Sequence, residues 1–147
     1  MATRVNPSYE SDIIAWANEQ ARLLRAGDFA ALDIEHIADE VEDVGKSEQR
    51  ELETRMALLL CHLLKWEFQA GRRGASWQKT IIVQREGLEL RIKRTPSLKA
   101  SLADPDWQRL AWLDAVDQAA KETGLDVFPA VCPWTMVQVL DPSFLPG

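Results

Sequence analysis

Apolar positions are most densely periodic at residues 47–69, SEQRELETRMALLLCHLLKWEFQ. On a 3.6-residue period, Leu52, Met56, Leu59, Leu60, Leu63, Leu64, Trp66 and Phe68 cover more than half of a helical circumference. That is wider than a surface helix needs, and it predicts a core helix packed on several sides, with Leu59, Leu63 and Trp66 deeply buried. The other elements follow in order. Ser8 can cap a first helix through Ala26, closed by Gly27, with Ile13, Trp16, Ala17, Gln20 or Ala21, and Leu24 as its inner face. Asp33 caps a segment at 34–44, whose stripe of Ile34, Ile37, Ala38, Val41 and Val44 opposes the carboxylates of Glu35, Asp39, Glu40, Glu42 and Asp43, a surface pattern. Gly45 marks either a turn or a kink in one long helix. The apolar phase continues across it, which favours the kink.

Farther along, QAGRRGAS reads as a loop, and Ser76 as the cap of a helix that Thr95-Pro96 stops at Arg94. Trp77, Ile81, Leu88 and Ile92 form its main stripe, while Val83 and Leu90 lie on another side. Residues 97–102 read as one short turn. Asp104-Pro105 opens a helix to Thr123, closed by Gly124, with Trp112, Ala115, Val116, Ala119 and Ala120 as its buried arc. In the tail, Pro133 can start a short helix through Val139 that packs back on the rest. TIIVQ is the single β-like run, and the helical stripe on both sides argues it away. The expected fold class is all-α: a single-domain helical bundle of four or five main helices over 1–147, with a short flexible N-terminus at 1–7.

Length and composition fit that expectation, since 147 residues at 46% hydrophobic content can bury a core without staples. The N-terminus lacks the apolar core of a signal peptide and no apolar run approaches ~20 residues, so a soluble, cytoplasmic protein without membrane contact is expected. Cys61 and Cys132 have neither metal spacing nor the density of a disulfide framework, and reduced thiols are expected, Cys61 as a buried small hydrophobe.

Candidate chemistry is sparse. Glu51, Arg55, His62, Lys65 and Gln69 share one flank of the 47–69 helix and form a candidate polar cluster. Its plainer reading is a Glu51–Arg55 ion pair beside a His62 hydrogen-bonded between helices. His36 with Glu40 and Asp43 invites a metal reading, but dimetal bundles carry Glu-x-x-His, whereas Asp33 precedes His36 and Leu59 precedes His62; no metal or cofactor is expected. Charge is blocked along the chain, with a net −7 over 1–64, +6 over 65–100 and −5 over 101–147. The basic block could meet nucleic-acid phosphates through segment 72–99, beginning at Arg72 and Arg73. Arg85, Arg91 and Lys93 point in different directions on the helix, however, and the pI is near 4.9. Attraction to acidic parts of the same chain or of a second copy is the better reading.

One set of residues is familiar together: Leu32-Asp33, EVEDVGKSE at 40–48, LLCHLLKW at 59–66, Ser76-Trp77, Pro96-Ser97-Leu98, Glu122-Thr123-Gly124, Cys132-Pro133-Trp134 and LDPSFLP at 140–146. In this order they resemble a bacterial family catalogued as domain of unknown function twenty-nine. The resemblance implies a small all-helical protein with no assigned reaction, cofactor or partner, so no functional residue is carried across. The function expected is a non-enzymatic helical interaction module, a homo-oligomer or one with a protein partner. Arg72, Arg73, Lys79, Val83 and Leu90 make up its candidate surface. Nucleic-acid association through 72–99 is the alternative, and an enzyme centred on His62 the weakest reading, because one His without a placed nucleophile is not a mechanism.

Overall fold

A computed structural model describes residues 7–147, so the expected flexible N-terminus falls, apart from Pro7, outside the described residues. The protein is all-α: α1 Ile13–Ala26, α2 Ile34–Phe68, α3 Ala75–Arg94, α4 Leu98–Ala103, α5 Pro105–Thr123 and α6 Met136–Leu140, four of them long. Backbone packing divides the chain into two compact units, one ending at Ser47 and one spanning Glu48–Gly147. Helix α2 contributes its first part to one and the rest to the other. Gly45 neither turns nor ends it, and the 35-residue helix runs through.

In the first unit, α1 is capped by Asp12 and not by Ser8: the Asp12 carboxylate accepts the Ala15 N–H at 3.1 Å, and Ser8 instead pairs with Ser11. Gly27 closes α1 at φ 72°, a left-handed conformation that suits a residue without Cβ. The side that α1 buries is rotated from the expected one. Trp16, Glu19, Gln20 and Leu23 are enclosed, while Ile13, Ala17 and Leu24 face outward. The polar members tolerate this because each has a partner, Glu19 gripping Arg22 through both oxygens and Gln20 accepting the Asp33 N–H at 2.8 Å. Asp33 starts α2 as expected, accepting the His36 N–H.

The second unit holds the main core, in which Leu52, Met56, Leu59, Leu60, Leu63 and Leu64 of α2 pack with Ile81 and Leu88 of α3, Trp107, Ala111, Trp112, Ala115 and Ala119 of α5, and Val139 of α6. Leu59 and Leu63 are fully enclosed. Trp66 is only half-buried at the core's edge, where the Arg73 guanidinium covers its ring. Helix α5 buries Trp107 and Ala111 beyond the expected arc, and Val116 and Ala120 lie at its margin. Caps account for the boundaries. Gly74, not Ser76, precedes α3. Asp104 accepts the Asp106 N–H and Pro105 occupies the first turn of α5, with Gly124 at φ 72° closing it. Thr135 and Gln138 form a reciprocal capping box, so α6 begins at Met136 and not at Pro133.

One buried side chain helps to hold the tail. Arg85 on α3 is 5% exposed, and it donates from Nε to the Val139 carbonyl at 2.8 Å and from Nη2 to the Phe144 carbonyl at 2.7 Å. It satisfies a carbonyl of the short terminal helix and the strap after it.

Candidate functional site

Each sequence-selected side chain can now be placed. Glu51 and Arg55 pair along α2 at 3.0 Å, and Arg91 of α3 joins Glu51 at 3.4 Å and Glu48 at 3.8 Å. Lys65 belongs elsewhere. Its ammonium meets Glu122 of α5 at 2.6 Å and lies over the Trp77 ring, and the Cys61 thiol approaches the same carboxylate at 3.8 Å. The Lys65 hydrogen bond holds the Glu122 carboxyl below the ordinary glutamate range. Burial pushes the Cys61 thiol up to about 12, which leaves it an unreactive neutral group near neutral pH. His62 does not bridge helices as expected. Its Nδ1–H donates to the Leu58 carbonyl of its own helix at 3.0 Å, and burial keeps the ring on the neutral side. Gln69 contributes backbone hydrogen bonds to the turn after α2. The flank thus separates into an ion-pair network and a Lys65–Glu122 tie, and the one thiol beside a carboxylate, Cys61, is held neutral.

On the candidate interaction surface, Arg73 is committed, donating from Nε to the Trp66 carbonyl at 2.6 Å and from Nη2 toward Gly147. Arg72 and Lys79 face solvent, as do Val83 and Leu90. Among the described residues no group of three or more His, Cys, Asp or Glu side chains converges as a metal site, and no described helix is long and apolar enough to cross a membrane.

The feature that stands apart lies in the first unit. Trp16, Ala17, Ala21 and Leu24 of α1 oppose Ile37, Val41 and Val44 of α2 across an open cavity of about 240 Å3. Both are the helical stripes that the sequence presents, here lining a groove. Val41 and Val44 are each 67% exposed, and Leu24 is 47%. Behind the groove a polar node fixes the two helices. Asp33 accepts from the Trp16 indole at 3.0 Å and from His36 Nδ1 at 2.7 Å, and Tyr9 stacks on His36 while its hydroxyl donates to Glu40. The hydrogen bond to Asp33 raises His36 above its ordinary value, helped by Glu10 at 3.2 Å from Nε2. The same bond lowers Asp33.

An all-helical protein with an open apolar two-helix groove belongs to the class of small α-helical domains, and comparison places it more closely. Residues 8–145 match the family model described as Domain of unknown function DUF29, and the chain belongs to that family. Searches of the curated proteins and of the solved structures found no match.

Proposed function

We propose that this protein is a non-enzymatic interaction module that docks an amphipathic helix with basic flanks in the α1–α2 groove. The supporting observation is the groove itself, two aligned apolar stripes left open on a well-formed helical hairpin, where a helix's apolar ridge would complete the packing. Charge narrows the partner. Residues 1–47 carry ten carboxylates against four basic side chains, and Glu40 stands on the groove wall, so basic flanks are favoured over acidic ones. The nucleic-acid reading draws less support, because Arg73, Arg85 and Arg91 of the basic segment are each engaged with protein acceptors. An enzyme at His62 draws least, because the ring is bonded within its own helix and the neighbouring Cys61 thiol is held neutral.

The test is an anisotropy titration with a designed 14-residue amphipathic helix bearing basic flanks and with its acidic-flanked counterpart. The basic peptide should bind, more weakly as salt rises, and Val41→Glu should abolish binding with little change in stability, since Val41 is exposed. Equal binding of both peptides, or binding that survives Val41→Glu, would remove the proposal. Sedimentation of the protein alone reveals whether a second copy supplies such a helix.

A further inference from the structure

We propose that the Glu48–Gly147 unit holds a second, separate site that takes a small flat organic anion, one aromatic ring bearing a carboxylate, in the recess between α5 and residues 131–136. The recess measures about 180 Å3. This is the scale of an apolar cavity that accepts a benzene ring, about 150 Å3. Leu60, 1% exposed, lies at its base. Two of its walls are the indoles of Trp112 and Trp134, with centroids 5.7 Å apart and planes at 84°. In such a corner, a flat ring lying on one indole meets the other edge-on, the two geometries that aromatic quadrupoles favour.

Three of the polar groups of these walls already have partners. The Trp112 indole N–H donates to the Pro129 carbonyl at 3.0 Å, the Gln108 amide to the Leu102 carbonyl, and the Cys132 thiol to the Trp134 carbonyl at 3.4 Å. An apolar guest therefore strands none of these three. Burial raises the Cys132 thiol above its ordinary value, so no thiolate opposes an anion. At the exposed rim, Arg109 lines the same recess. Among the described residues, no ion pair or hydrogen bond engages its guanidinium. A planar fork of donors beside an aromatic corner selects a carboxylate on a ring over the ring alone.

The experiment is a titration of the full chain with benzoate, and with benzamide as the neutral isostere, followed by the indole N–H resonances in two-dimensional NMR. Benzoate should shift the Trp112 and Trp134 resonances saturably and leave Trp16 in place, with benzamide about tenfold weaker, the worth of one charge-assisted contact. Arg109→Gln, a change at an exposed position, should bring benzoate down to the benzamide level. Val131→Trp, at a position 69% exposed on the recess, should weaken both ligands. Absence of a saturable shift at benzoate on the order of 10 mM, equal affinity for the two ligands, or full benzoate affinity in Arg109→Gln would each overturn the assignment.

Discussion

In the Glu48–Gly147 unit, Leu52, Met56, Leu59, Leu63 and Leu88 are wholly enclosed; in the unit that ends at Ser47, Leu24, Ile34, Val41 and Val44 stand 47% to 67% exposed. The charge differs too. Thirteen acidic and thirteen basic side chains balance over 48–147, whereas 1–47 carries ten acidic and four basic. Both parts are written in the same helical periodicity, so periodicity reports which face of a helix is apolar and not what covers it. Covering takes several elements. In the second unit α3, α5 and α6 converge on α2, while the first offers two helices, which here line a groove.

The comparison can be broken most directly by cutting one leucine and one valine. Leu63→Ala should cost ~2–5 kcal/mol in urea unfolding, because nothing can refill a fully enclosed site, while Val41→Ala should cost less than ~0.5 kcal/mol. Equal losses would erase the distinction between the two units. Next comes Arg85→Met. Two carbonyls lose a charged donor, and about 3 kcal/mol should be lost, together with faster proteolysis after Leu140. An unchanged midpoint and cleavage rate would mean that the tail is held by its apolar contacts alone.

Gly45→Ala sharpens the comparison at its border, where α2 passes from the open unit to the closed one. An added Cβ meets no atom within 4 Å, so the helix should gain ~0.5–1 kcal/mol, seen as a higher Tm and slower amide exchange around residue 45. A loss would show that the backbone there needs glycine. The last effect concerns pH in the closed unit. Burial, and then the Asp114 carboxylate of α5, push Glu53 from 4.5 up to about 7, so the folded chain keeps a proton that the unfolded chain releases. That contribution is complete below about pH 4.5 and disappears as pH rises through about 7. The Tm advantage of Glu53→Gln over the native chain should therefore grow across this window, and a constant difference would contradict the assignment.

Much of the fold could be read because its boundaries are chemical. Thr95-Pro96, Asp104-Pro105 and Gly124 end or begin helices through missing donors, side-chain caps and left-handed backbone, all local effects. The start of α1 was misplaced at Ser8, because Asp12 is an equally competent cap four residues on and its extended backbone, which the sequence does not display, gives it the role. Arg85 sits four residues after Ile81 and three before Leu88, on the buried stripe, so its position was legible even though its charge suggested solvent. Lys65 and Glu122 lie 57 residues apart, and no period connects them. Of the candidate site, every groove residue but Glu40 was visible as part of a stripe; that the stripes would line an opening was not, because that depends on how many elements converge.

The tryptophans have a practical consequence. Trp16 is the one indole before residue 48 and the other five follow it, so a chain grown with fluorinated tryptophan carries a single spectral reporter for the grooved unit and five for the closed one. Trp16 lines the groove and is bonded to Asp33, which makes its resonance responsive both to a docked partner and to loosening of the hairpin. The two halves of the molecule can thus be watched melting separately in one tube, without a label being introduced at a chosen site.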